Sequence, residues 1–177
     1  MEKRWKIEKH DRAKVAELAS ELDVPPLVAA MLITRGYDDR ERAFAFLNPT
    51  RDDLHEPELL KDLTKSVERI LKAIENGEKI LIWGDYDVDG TTGTVVLRRA
   101  LEMIGATTGY HVPNRFTEGY GLNIPALEKA KEDGYSLVIT VDCGSTAFEP
   151  IAWARENGMD VIVTDHHLTK DHGLPNA

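Results

Sequence analysis

Lys79–Gly93 reads KILIWGDYDVDGTTG. The apolar run Ile80–Trp83, bounded by Gly84, is short enough to be a buried strand. Aspartates follow at alternate positions, Asp85, Asp87 and Asp89, before Gly90 breaks the run. If the segment is extended, alternate side chains share one side, and the three carboxylates converge at the strand end. Carboxylates that close repel one another, and a bound cation relieves the repulsion, so the stretch reads as half of a metal site. A solvated acidic turn is the plain alternative. Thr91 and Thr92 are good caps for a helix that starts behind them.

Downstream of this stretch, strand and helix patterns alternate strictly. The expected order is strand Ile80–Trp83, helix Thr92–Ile104, strand Thr108–Val112, helix Ile124–Asp133, strand Leu137–Val141, helix Ala147–Asn157 and strand Val161–Thr164. Alternation of this kind predicts an α/β fold with a parallel, Rossmann-like sheet flanked by helices. Ligands of such sheets bind beyond the carboxyl ends of the strands. Those ends carry Asp85, Asp87 and Asp89; His111 followed by Pro113-Asn114-Arg115-Phe116; Asp142; and Asp165-His166-His167. One rim thus gathers carboxylates and imidazoles from several strands.

Upstream, residues 1–76 are expected to form a small helical N-terminal region. Asp11 caps a helix through Glu21, and Pro25-Pro26 opens a second that Gly36 ends. A third starts near Asp38 or Asp39 and stops at Asn48-Pro49. A fourth spans Leu63–Asn76, with Val67, Ile70, Leu71 and Ile74 as its apolar stripe. The expected organisation is therefore 1–76 helical and 77–177 α/β.

Bulk properties narrow the function. The 177 residues suffice for one domain with a sizeable core and a helical appendage. The net charge of -9 does not advertise a nucleic-acid binder, although a local basic groove or a bound metal can carry phosphate contacts. A single cysteine, Cys143, excludes an internal disulfide and a thiolate zinc site, and it reads as a small buried thiol. No apolar run approaches the roughly 18 residues of a membrane span, and the opening MEKRWKIEKHDR lacks signal-peptide features, so a cytoplasmic protein is expected. His10, His55 and His172 read as surface residues, whereas His111 is placed to line the rim.

Mixed carboxylate and imidazole donors suit manganese, magnesium, iron or zinc. Four or more acidic ligands point to two ions roughly 3.5–4 Å apart, sharing a carboxylate, for which Asp142 on a middle strand is the candidate. Such a pair clamps a phosphate during in-line displacement. Arg115 and the glycine-rich loop Glu118–Gly121 lie on the same rim, and an arginine fork and exposed backbone N–H groups both bind phosphate. A surface ion pair is the alternative for Arg115.

These blocks resemble a known family. VIVT followed by Asp165-His166-His167 is similar to the signature of the DHH phosphoesterases, GDYDVDGTT (Gly84–Thr92) to their first motif, and VDCGS (Val141–Ser145) to their second. PNRFTEGYGL (Pro113–Leu122), LITRGY (Leu32–Tyr37) and AFLNP (Ala45–Pro49) resemble the RecJ family of single-strand-specific exonucleases within that superfamily. The resemblance implies two-metal hydrolysis of single-stranded DNA from the 5′ end with Mn2+ or Mg2+, a place in DNA repair and recombination, and contacts with single-strand-binding protein and a helicase. It implies Asp87 and Asp89 as metal ligands with Asp85 beside them, Asp142 as the bridge and His166 as a further ligand. It also implies His167 on metal or phosphate, Asp165 orienting the site, and Arg115 with Gly119, Tyr120 and Gly121 on the DNA backbone. Family members continue beyond the Asp-His-His motif to another acidic ligand and a second domain. The chain is accordingly expected to be an amino-terminal part, weakly active or inactive alone. Two alternatives stand beside this reading. DVDGT (Asp87–Thr91) matches the motif of haloacid-dehalogenase-type phosphatases, with Asp87 as nucleophile. The other is a non-catalytic binding module on the same fold.

Overall fold

A computed structural model describes residues 9–169 and 173–177; His172 lies outside the described residues. The chain divides into two units, Met1–Leu59 and Leu60–Ala177. The first holds α1 (Arg12–Leu22), α2 (Pro26–Thr34) and α3 (Arg40–Leu47). Asp11 and Asp39 cap α1 and α3 by accepting from the Ala13 and Arg42 N–H groups. Leu18, Ala19, Ala29, Leu32 and Ala43 form the core of this unit. His10 is half-buried rather than a plain surface residue, with Nε2 3.1 Å from Thr34 Oγ1, whereas His55 is exposed. The expected polar connector after Asn48 contains two short 3-10 turns, Arg51–Asp53 and Pro57–Leu59.

The second unit is built on a parallel sheet of β1 (Lys79–Gly84), β2 (Thr107–His111), β3 (Tyr135–Val141) and β4 (Asp160–Thr164), ordered β2-β1-β3-β4. The helices are α4 (Leu63–Glu75), α5 (Val88–Met103), α6 (Ile124–Glu132) and α7 (Phe148–Glu156). Alternation along the strands sorts two cores. Leu81, Trp83 and Val138 pack with Leu127 and Ala130 of α6 and Ile151 and Ala154 of α7. Ile80, Ile82, Leu137 and Ile139 pack with Ala73 of α4 and Leu101 of α5. Period-two strands buried on both faces produce this three-layer arrangement.

Two local expectations change. First, α4 lies in the same unit as the sheet, Leu60–Ala177. The stripe also turns: Ala73 is fully buried, while Val67 and Leu71 remain exposed. The small Ala73 side chain faces the sheet core, and Ile70 packs beside it. Second, α5 starts at Val88, not at Thr92. Asp87 leaves the strand direction and caps the helix by accepting from the Gly90 N–H at 3.0 Å. The Thr91 and Thr92 hydroxyls then bond back to the Asp87 and Val88 carbonyls inside the first turn. Gly90 permits that turn to lie against β1: a Cβ there would sit 2.5–2.6 Å from the Asp85 backbone.

At the opposite end of the sheet, one ionic cluster ties three strand starts to α4. Arg69 of α4 pairs with Glu78 at 2.7 Å and Asp160 at 2.6 Å, and the Ser136 hydroxyl donates to Glu78. The Ser136 hydroxyl first, and then Arg69, hold the Glu78 carboxyl down at about 2 against the opposing effect of burial. A folded-state value below the ordinary 4.5 stabilises the fold fully above that pH, and the contribution disappears as pH falls towards 2. Glu78→Gln is therefore expected to lose about 1–2 kcal/mol at neutral pH, the range of a charge-assisted hydrogen bond. Urea unfolding followed at several pH values checks this. The deficit should shrink as pH drops through that window, and a deficit independent of pH would contradict the assignment.

Candidate metal centre

Strand register builds the site. Gly84 pairs with Val141, and Val141 pairs with Thr164, so Asp85, Asp142 and Asp165 each stand one residue beyond the aligned ends of β1, β3 and β4. The ladder runs on one step past the strands. The Asp85 N–H donates to the Val141 carbonyl at 3.2 Å and the Asp142 N–H to that of Thr164 at 2.9 Å.

Two donor clusters result. Ligand atoms of Asp85, Asp87 and Asp142 lie within 4.8 Å of one another, as do those of Asp142, His166 and His167. Asp142 belongs to both. Its backbone is left-handed, with φ 61°, a conformation that asparagine and aspartate enter more readily than other side chains. Asp85 and Asp142 are 4% and 8% exposed, and each has an Oδ1 without a hydrogen-bond partner among the described residues. Burial first, and the neighbouring Asp87 and Asp142 charges with it, push the Asp85 carboxyl above its usual range. Buried carboxylate oxygens without donors cost several kcal/mol unless something positive meets them. His166 Nε2 approaches Asp142 Oδ1 to 3.0 Å without hydrogen-bond alignment. Neighbouring ligands of an octahedral ion with bonds of about 2.1 Å are themselves about 3.0 Å apart. The donor set therefore fits a small divalent cation.

Asp165 has a different setting. It accepts from the Ser145 N–H at 2.9 Å and the His167 N–H at 3.0 Å, and its Oδ1 lies 2.7 Å from His167 Nδ1. Burial opposes its ionisation, but the hydrogen bonds from Ser145 and His167 outweigh it and hold the carboxyl at about 2. The hydrogen bond to Asp165 raises the His167 imidazole above its ordinary value, and Nδ1 also lies 4.0 Å from Asp142 Oδ1.

Of the residues expected at the site, the structure brings together Asp85, Asp87, Asp142, His166 and His167, with Asp165 behind His167. It does not bring Asp89 among them. Asp89 lies exposed in the first turn of α5, because the capped turn replaces the extended run. Arg115 makes no ion pair among the described residues; its guanidinium lies 5.0 Å from the centre of the Tyr86 ring. Tyr86 meets Tyr120 edge-on at 6.2 Å, and Tyr120 meets His167 likewise at 6.2 Å. The Tyr120 hydroxyl, pushed up to about 12 by burial and then by the nearby carboxylates, stays protonated and donates to the Asp142 carbonyl at 3.4 Å. Gly119 and Gly121 adopt left-handed backbone on either side of Tyr120. His111 is held away from the carboxylates, paired to Glu118 at 2.7 Å and packed on Trp83 at 4.2 Å. Cys143 is fully buried, and burial lifts its thiol to about 12, which leaves it inert. Tyr86 is the participant that sequence reasoning passes over, since a tyrosine between two aspartates carries no chemical signal of its own.

Comparison with known proteins gives the family. The profile of the DHH family, N-terminal domain, matches residues 79–177. The chain belongs to the DHH family. It is similar to the single-stranded-DNA-specific exonuclease RecJ of Bacillus subtilis (strain 168), 44% identical over 164 residues, which is 93% of this chain and 21% of that protein. A crystal structure of RecJ from Thermus thermophilus in complex with Mn2+ covers 97% of this chain and 23% of its own, with TM-score 0.68 and 30% identity. A crystal structure of exonuclease RecJ bound to manganese covers 66% of this chain and 30% of its own, with TM-score 0.61 and 38% identity. The chain spans about a fifth to three-tenths of the length of the curated relatives it matches. The haloacid-dehalogenase alternative falls with the family assignment, which also accounts for Asp165-His166-His167.

The sharing of Asp142 between both clusters yields a test. Asp142→Asn keeps a side chain that tolerates the left-handed backbone but removes the charge. Asp142→Ala adds a backbone penalty of about 1 kcal/mol. Thermal unfolding with and without Mn2+ should show Asp142→Asn as stable as the unsubstituted chain without metal but without a Mn2+-induced rise in Tm. Asp165→Ala should retain part of that rise. An undiminished rise in Asp142→Asn would remove Asp142 from the centre.

Proposed function

We propose that the chain carries the metal-binding part of a RecJ-type nuclease, which hydrolyses single-stranded DNA from its 5′ end with Mn2+ or Mg2+. The observation that carries this reading is the pair of donor clusters joined at Asp142, on buried carboxylate oxygens with no other partner among the described residues. Asp85, Asp87 and Asp142 would hold one ion, and Asp142 with His166 and His167 a second. Bound ions supply charge neutralisation and Lewis-acid activation at a phosphodiester.

The chain's own residues do the remaining work. Asp165 holds the His167 ring in place through Nδ1, beside Asp142. Arg115 lies across the Tyr86 face with its donors available to a phosphate, and a planar guanidinium engages two phosphate oxygens at once. Tyr120, between Gly119 and Gly121, borders the same rim and supports Asp142 through its carbonyl. The net charge of -9 disfavours a polyanion away from the rim, which leaves metal and arginine as the attractive features. Association with single-strand-binding protein and a helicase, a cytoplasmic setting, and a role in DNA repair and recombination belong to the same reading. Among the described residues, no helix is long and apolar enough to cross a membrane.

The test is hydrolysis of end-labelled single-stranded oligonucleotides in Mn2+, by this chain and by a full-length protein containing it. The longer protein is expected to release nucleotides from the 5′ end, and the 177 residues alone to be slower by orders of magnitude, since their relatives are several-fold longer. Arg115→Ala should slow hydrolysis about 10²-fold or more with Mn2+ binding unchanged, and Arg115→Lys should recover little of it. Double-strand preference, or full activity in Arg115→Ala, would contradict the proposal.

A further inference from the structure

The loop Pro113–Leu122 carries Arg115, which lies on the Tyr86 ring, and Tyr120, which reaches the Asp142 carbonyl. Its shape comes from Glu118. The Glu118 carboxylate accepts from the Asn114 N–H on Oε1 at 3.0 Å, while Oε2 lies 2.7 Å from His111 Nε2 and accepts from Asn123 Nδ2 at 3.4 Å. These three partners stand at different places: His111 ends β2, Asn114 opens the loop, and Asn123 caps α6 through the Ala126 N–H. Within the loop, the Glu118 N–H returns to the Asn114 carbonyl at 2.8 Å, and Asn114 Oδ1 takes the Phe116 N–H at 2.9 Å. His111 anchors the arrangement to the sheet by packing on fully buried Trp83.

We propose that Glu118 is a positioning residue: with His111 it latches the Pro113–Leu122 loop to β2 and α6, and so holds Arg115 ready for a phosphate of the DNA strand. The proposal rests on the nuclease reading above. Its logic is one of charge as well as shape. A glutamate three residues from an arginine on a short loop is an obvious ion-pair partner for it, and such a pair would occupy the guanidinium. Here both glutamate oxygens are engaged by Asn114, His111 and Asn123, and the guanidinium lies on Tyr86 instead. The carboxyl is held below its ordinary range, by the Asn114 N–H first and against burial, which agrees with a carboxylate whose donors are all in the loop frame. The latch thus keeps the negative charge away from the cation that the substrate needs.

The experiment compares Glu118→Ala, Glu118→Gln, Arg115→Ala and the double variant Arg115→Ala/Glu118→Ala in this chain. The probe is a 5′-phosphorylated, phosphorothioate-linked oligothymidylate, with binding read by fluorescence anisotropy in Mn2+. Glu118→Ala and Arg115→Ala should each weaken binding about tenfold, and the double variant should bind no more weakly than Arg115→Ala, because the two changes remove one contact. Glu118→Gln, which keeps an acceptor for Asn114, should recover most of the affinity, and Mn2+ affinity should be the same in all. Independent, multiplying losses, or unchanged binding in Glu118→Ala, would overturn the proposal. If the unsubstituted chain binds Mn2+ but no oligonucleotide, the phosphate role of the latch fails in this chain, while the nuclease reading is decided separately by the hydrolysis assay above. Hydrogen exchange of the residue 115–121 amides then still decides the latch itself: faster exchange in Glu118→Ala supports it, and unchanged exchange refutes it.

Discussion

Aspartates stand at the carboxyl ends of three neighbouring parallel strands, and the register leaves them no room to diverge. Gly84, Val141 and Thr164 are aligned across β1, β3 and β4, so Asp85, Asp142 and Asp165 emerge side by side. Two of the three keep a buried oxygen with no donor among the described residues. Asp165 escapes the difficulty by accepting from Ser145 and His167. Asp85 and Asp142 do not, and the simplest remedy for two such carboxylates is a cation between them. The rest of the second unit follows from holding that arrangement. Hydrophobic layers on both faces fix the strands, and the Arg69–Glu78–Asp160 cluster ties their opposite ends to α4.

The start of α5 completes the centre. Asp87 is both the helix cap and the third member of the Asp85 cluster, so one residue ends the strand exit, begins the helix and offers a ligand. Gly90 makes this possible by letting the first turn lie against the Asp85 backbone. On the other side of the rim, an aromatic chain of Tyr86, Tyr120 and His167 links the Arg115 loop to the Asp-His-His motif. Residues drawn from separate motifs thus touch one another physically.

Much of this was legible in the sequence for a definite reason. Strand-helix alternation and apolar runs report burial on both faces, and in a parallel sheet every strand end falls on the same rim, so Asp85, Asp142, Asp165, His166 and His167 could be gathered without knowing the strand order. The position of Asp89 was not legible. Asp85-Tyr86-Asp87-Val88-Asp89 reads as extended until a cap is formed, and only the Asp87 hydrogen bond to Gly90 turns Val88 and Asp89 into a helix. The face of α4 was missed because its larger apolar side chains outvoted Ala73, whereas the sheet received the smaller one. Tyr86 and the tie between His111 and Glu118 depend on contacts across the fold, which no local pattern reports.

The central claim is that Asp142 joins two cation sites. Anomalous diffraction at the manganese edge, from crystals of this chain grown with Mn2+, tests it directly. The account predicts anomalous density beside Asp142, with one peak reached by Asp85 and Asp87 and another by His166. Peaks that avoid Asp142, or none at saturating Mn2+ in well-ordered crystals, would contradict it.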